Sequence, residues 1–133
     1  AERVKQQTWL RVLAGDVCKL QGSNSQFVAE TPDQTLQQRM ASGDISATAA
    51  LWGKGLNPVG GEVALLENTV IADQPALAEG LSKAGLELDR RALRVIPENL
   101  SWQWTDDSLL LDFNLPAGSY ATALLRELIQ TPA

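Results

Sequence analysis

The residue pattern predicts a mixed α/β (α+β) fold, and three features carry that prediction. Short runs of strand-forming residues are separated by glycine-rich turns. Apolar stretches at helical spacing begin at prolines or glycine pairs and stop at glycines. Near the C-terminus, two runs alternate apolar with polar residues on either side of an acidic dipeptide.

Taken in order, residues 4–13 give a short, mixed pattern, and Gly15-Asp16 reads as a turn. Val17-Cys18-Lys19-Leu20 and Gln26-Phe27-Val28-Ala29 read as strands, and the turn-rich Gly22-Ser23-Asn24-Ser25 joins them as a hairpin. Thr31-Pro32-Asp33 has the signals of a helix start, with Thr31 as cap candidate, and the helix carries Leu36, Arg39 and Met40 to a stop at Gly43. Residues 45–52 read as a strand, and Gly53-Lys54-Gly55-Leu56-Asn57-Pro58 as a loop. Gly60-Gly61 leads into a helix with Val63, Leu65 and Leu66, and a second helix runs from Gln74-Pro75 to Lys83, stopped by Gly85. A short basic helix is expected over residues 90–94.

Pro97 marks a boundary, because the residue before a proline is pushed out of helical geometry. Beyond it, Leu100, Trp102 and Trp104 alternate with Ser101, Gln103 and Thr105, and after Asp106-Asp107 Leu109, Leu111, Phe113 and Leu115 alternate with Leu110, Asp112 and Asn114. Folding this stretch about the acidic pair sets Trp104 opposite Leu109, Trp102 opposite Leu111 and Leu100 opposite Phe113, all on one side. The hairpin is expected over residues 99–115. A helix over residues 119–130 follows Gly118, with Ser119 capping its first turn and Ala121, Leu124, Leu125 and Leu128 forming an apolar stripe. Tyr120 sits at the edge of that stripe, near the positive end of the helix.

Composition narrows the chemistry. The 133 residues contain no histidine and one cysteine, so a Ser-His-Asp triad and a zinc site are not expected. No apolar run approaches the length of a membrane span, no export signal core follows Ala1, and the lone Cys18 fits a cytoplasmic setting. The formal net charge of −5 argues against a freestanding RNA-binding module, which usually carries a positive excess.

Most candidate sites have a plain structural reading. The stretch from Gly55 to Gly60 follows a strand and precedes a helix, but Gly61 and Glu62 stand where a phosphate loop needs Lys and Ser/Thr. Asp106-Asp107 reads as a turn rather than a carboxylate pair. Arg90, Arg91 and Arg94 form the one basic cluster, a solvated face or a phosphate contact. Trp102 and Trp104 could stack bases, although their pairing with leucines favours core packing. The richest segment runs from Phe113 to Leu128: a strand, a tight Pro/Gly corner, and a helix N-terminus presenting a hydroxyl and an aromatic ring. Such a corner can hold a polar or anionic group, or offer its ring to a flipped base.

That segment closely resembles the C-terminal signature of the TruD family of tRNA pseudouridine synthases, LPAGS-(F/Y)-AT followed by an apolar pair and REL. Here it is residues 115–122, then Leu124-Leu125 and Arg126-Glu127-Leu128. The likeness continues through Arg90-Arg91-Ala92, Pro97, Leu100-Ser101-Trp102 and Trp104, and more loosely through Gly15-Asp16, Leu20-Gln21-Gly22, Phe27-Val28 and Ala49-Ala50-Leu51. The resemblance implies isomerisation of uridine to pseudouridine in tRNA, at position 13, without cofactor or metal. The target base is flipped out of the RNA. It implies a catalytic aspartate in a GQKDK-like motif, and neither that motif nor the family's N-(Y/F)-FG-x-Q-R-FG signature occurs in this sequence. No catalytic residue is therefore assigned here, and the chain alone is expected to be inactive. Its partners would be tRNA and the missing N-terminal catalytic part of the same protein.

By the same resemblance, residues 1–95 are the later part of an insert domain and residues 96–133 are the segment returning to the catalytic sheet. Tyr120, Ser119 and Gly118 would edge the uridine pocket, with Tyr120 where the family more often has Phe. Arg90, Arg91 and Arg94 would approach tRNA near the hinge between domains. The competing reading is a freestanding α/β module that binds RNA or a protein without catalysis.

Overall fold

The computed structural model describes residues 1–129, and they form two compact units, one ending at Arg94 and the other beginning at Val95. The first unit is built on a four-stranded antiparallel sheet of order β2-β1-β3-β4, with β1 Asp16–Leu20, β2 Gln26–Ala29, β3 Ile45–Leu51 and β4 Asp89–Ala92. A short helix α1, Glu2–Lys5, precedes the sheet, α2 (Gln34–Ser42) links β2 to β3, and α3 (Gly61–Ala72) and α4 (Pro75–Lys83) link β3 to β4. The second unit pairs β5 (Glu98–Trp104) with β6 (Leu109–Asn114) and ends in α5, Ala121–Leu128.

The core of the first unit lies where α2 crosses the sheet. Met40, Ile45, Cys18 and Ala47 have no exposed surface, and Val12 and Ala29 close the cluster. The β1–β2 hairpin takes the expected strands, with Val17 opposite Val28 and Cys18 opposite Phe27. Helix α2 stops at Gly43, whose φ of 86° is the left-handed conformation that glycine accepts without a Cβ penalty. Its start differs from the expectation. Asp33, not Thr31, is the cap, and its Oδ1 accepts the Leu36 N–H at 2.8 Å. A carboxylate this close to the helix N-terminus satisfies a donor that has no carbonyl ahead of it.

No helix forms over residues 90–94: residues 90–92 belong to strand β4, with Ala49 opposite Arg91 and Ala50 opposite Arg90, and Leu93 and Arg94 follow its end. The alternation of strand side chains explains the outcome. Arg90 points into the unit and is buried, whereas Arg91 faces outward. Pairing with β3 and the hydrogen bonds waiting for Arg90 inside outweigh any local helical preference.

In the second unit the register places Trp104 opposite Leu109 and Trp102 opposite Leu111, as the alternation requires. Between Glu98 and Ser101 the register shifts, so Asn99 and Leu100 together face Phe113 as a β-bulge, with Asn99 at φ 53°. The hairpin turns at Asp106-Asp107, where the Thr105 N–H donates to the Ser108 carbonyl at 2.8 Å. Helix α5 starts at Ala121 rather than 119. Tyr120 occupies the cap position in extended geometry, and no side chain caps the helix. Ser119 is diverted because its N–H closes a turn on the Pro116 carbonyl at 3.1 Å. The expected last residue of this helix, Gln130, lies outside the described residues.

Candidate functional site

The strand-to-helix corner is assembled by local chemistry. β6 ends at Asn114, Leu115 and Pro116 carry the chain away from the strand, and Gly118 turns it with φ 81°. Tyr120 then presents its ring to solvent with 72% of its surface exposed, at the mouth of α5. Its carbonyl accepts the Ala123 N–H at 3.0 Å, leaving the ring unconstrained by the helix ladder. Ser119 is half-buried beside it. The first-turn N–H groups of α5 have no preceding helical carbonyls, so this end is electrically positive. An exposed aromatic next to such a terminus can stack on a base while the N–H groups meet a polar atom. The structure brings Gly118, Ser119 and Tyr120 together in this one corner.

The three arginines do not form one surface. Arg90 is buried in a network: its guanidinium donates to Glu67 Oε1 at 2.7 Å, to Glu67 Oε2 at 3.1 Å, to Asn57 Oδ1 at 2.8 Å, and to the Thr48 hydroxyl and carbonyl. Asn57 in turn donates to Glu67 at 2.7 Å. Arg94 is half-buried and donates to the Ser46 hydroxyl and to the carbonyls of Met40 and Ile45, tying the end of α2 to the start of β3. Burial pulls its pKa down from the usual arginine range. Only Arg91 is an exposed member of the trio. Sequence reading missed Glu67 and Asn57, because partners 23 and 33 residues from Arg90 leave no local spacing signal.

Burial works to raise the Glu67 carboxyl, but the hydrogen bonds from Arg90 and Asn57 and the Arg90 charge outweigh it and hold the pKa below 4.5. A carboxyl whose folded pKa is depressed stabilises the fold above its unfolded value, and that stabilisation is lost as pH falls through the folded value. Urea unfolding is therefore expected to show a stability loss below pH 4.5 that is smaller in Glu67→Gln. A variant with an undiminished acid slope would remove Glu67 from that role. The second buried pair, Arg3 with Asp16 at 2.7 Å, behaves differently: burial pushes the Asp16 carboxyl up, against Arg3 and the Leu13 N–H. Burial also raises the Cys18 thiol to about 11, with Asp16 adding to the effect, so it stays protonated and unreactive at neutral pH.

The indoles of Trp102 and Trp104 are 66% and 72% exposed, so pairing across the hairpin does not by itself bury them as core residues. A two-stranded hairpin has one layer, and a face is buried only when a further layer covers it. The unit is also acidic: Glu98, Asp106, Asp107, Asp112 and Glu127 stand against Arg126 alone among residues 95–129. That balance repels a phosphate backbone. Among the described residues, no cluster of His, Cys, Asp or Glu is placed to hold a metal ion, and no helix is long and apolar enough to cross a membrane.

Comparison with known proteins adds a consistent result. The family model described as tRNA pseudouridine synthase D (TruD) matches residues 1–128. A tRNA pseudouridine synthase D from Pseudoalteromonas atlantica is 39% identical over 97% of this chain and 37% of its own length. Its counterpart from Hydrogenovibrio crunogenus is 41% identical over 98% of this chain and 38% of its length. The chain thus spans well under half the length of the curated relatives it matches. Among solved structures, a Methanosarcina mazei protein described as a tRNA pseudouridine synthase D (TruD) aligns with a TM-score of 0.63. That match covers 94% of this chain and 33% of the other at 22% identity, a likeness of fold.

Proposed function

Because the chain belongs to the tRNA pseudouridine synthase D (TruD) family, we propose that it is part of an enzyme that isomerises uridine to pseudouridine in tRNA, at position 13. The observation that carries this reading is the exposed Tyr120 ring at the positive end of α5, within the segment that resembles the family signature. In the proposed arrangement the flipped uridine lies against Tyr120, and Ser119 and Gly118 shape the edge of its pocket. An aspartate from polypeptide outside this chain attacks, the glycosidic bond breaks, and the base rejoins through carbon. Neither a metal nor a cofactor takes part.

On this reading, residues 1–95 belong to an insert domain and residues 96–133 return to the catalytic sheet, where a further layer covers Trp102 and Trp104. The acidic second unit leaves phosphate contacts to the first unit and to the rest of the enzyme. Of the three arginines, Arg91 is the one whose strand position suits a tRNA contact, since Arg90 and Arg94 hold the fold. The setting is cytoplasmic, where tRNA is found.

Incubating the isolated chain with tRNA and reading pseudouridine by mass spectrometry is the direct test, with no product expected. In a complete relative, Tyr or Phe at the position matching Tyr120 replaced by Ala should lower kcat/KM about 5- to 150-fold, the equivalent of about 1–3 kcal/mol of stacking. Turnover by this chain alone would refute the external aspartate, and an unchanged kcat/KM would refute the pocket wall. Tight, salt-sensitive tRNA binding by the chain without turnover would favour a freestanding binding module instead.

A further inference from the structure

Helix α3 carries apolar side chains on every face: Val63 packs inward with 1% exposure, while Leu65 and Val70 remain 71% and 44% exposed. A helix that is apolar all round is normally covered on all sides. Residues of α3 and α1 line a groove of about 480 Å³, among them Leu65, Leu66 and Val70 together with the acidic Glu2, Glu62 and Asp73. Lys5 already meets Glu2 at 3.2 Å. Asp73 stands at the C-cap of α3, where the helix dipole is negative, and no basic residue occupies the last turn. A carboxylate there gains from a nearby cation, which the last turn of α3 does not supply.

We propose that this groove seats a cationic amphipathic helix from the polypeptide that the relatives carry beyond the span matched by this chain. Glu62 and Asp73 lie on one helix face about 16 Å apart, so the occupant would set basic residues at a similar separation and fill the centre with apolar side chains. The source follows from length. The relatives hold well over half of their residues outside the matched span, enough to supply another packed layer. The inference rests on membership of that family and deepens the proposed assembly by naming a second seat for the remaining polypeptide, separate from the hairpin.

Leu65→Cys places a thiol on the exposed groove wall of this chain, where Cys18 is buried and silent. Alkylation by a maleimide should be fast in the isolated chain. In the complete Pseudoalteromonas atlantica relative, a cysteine at the matching position should react at least about tenfold more slowly, because a covered site reacts only through local opening. A thiol-to-amine cross-linker on that cysteine should capture a lysine from outside the matched span. Equal alkylation rates would overturn the inference, as would cross-links confined to the matched span or joining two copies. Pseudouridine formation by the same preparation reads the proposed function separately. An active enzyme with an open thiol removes the groove's occupant and leaves the function standing.

Discussion

Glu67→Gln is expected to cost the first unit about 3–5 kcal/mol, measured as a drop in urea midpoint at neutral pH with an unchanged denaturant slope. The Arg90 side chain is 3% exposed and the Glu67 side chain 13%, so the substitution leaves a guanidinium indoors without its countercharge. The asymmetry between removing one partner and removing both makes the test sharp. Replacing the pair together, with Arg90→Met and Glu67→Leu, removes the stranded charge and should recover a large part of the loss. A single substitution costing less than about 1 kcal/mol would mean that the pair behaves like a surface contact. The result bears on function as well. Loss of tRNA affinity in an Arg90 variant would follow from a disturbed fold, so Arg91 is the informative substitution for a phosphate contact.

Gly15→Ala should be nearly as damaging, at about 2–5 kcal/mol by thermal or urea unfolding. Two penalties combine there. Gly15 has φ 83°, which costs an L-residue about 1–2 kcal/mol. A Cβ at that position would also lie 1.9 Å from the Gly60 carbonyl oxygen, an overlap with backbone whose relief costs about 1–3 kcal/mol. The contact is part of the fold: the Gly60 N–H donates to the Gly15 carbonyl at 3.0 Å, and the Val63 N–H to Ala14 at 3.3 Å, docking the start of α3 on the turn before β1. Gly22→Ala is the control. Its φ is 69°, but nothing lies within 4 Å of the added carbon, so only the backbone penalty remains. Equal losses at the two sites would show that the close approach contributes nothing.

This glycine pair also explains the stretch from Gly55 to Gly60, whose spacing invites a phosphate-loop reading. The close approach to Gly60 requires the missing Cβ at Gly15, since a Cβ on Gly60 itself would meet only the Gly15 Cα at 3.8 Å, and Gly61, at φ 47°, opens the helix with its Cβ direction crowded by the Ala14 carbonyl. The glycines at 15 and 61 are thus set by packing and backbone conformation, consistent with the Lys and Ser/Thr that a phosphate loop would need being absent.

What could be read from the sequence was whatever depends on neighbours along the chain. The β1–β2 hairpin, the left-handed stop at Gly43, the proline start of α4 and the Trp104–Leu109 register follow from turn chemistry and side-chain alternation acting over a few residues. The signature around Tyr120 was legible for a related reason, since its corner closes within the segment itself, although the diversion of Ser119 into a turn was not. Tertiary structure alone decided the rest. Residues 90–92 became part of a strand because β3 and Glu67, distant in sequence, offered Arg90 pairing and a countercharge that no local pattern encodes. The bulge at Asn99 adjusts one strand to the other, and the exposure of Trp102 and Trp104 depends on layers beyond the hairpin. Local propensity is a preference of at most about 1 kcal/mol per ordinary residue, whereas a buried, fully bonded guanidinium is committed by several times that amount.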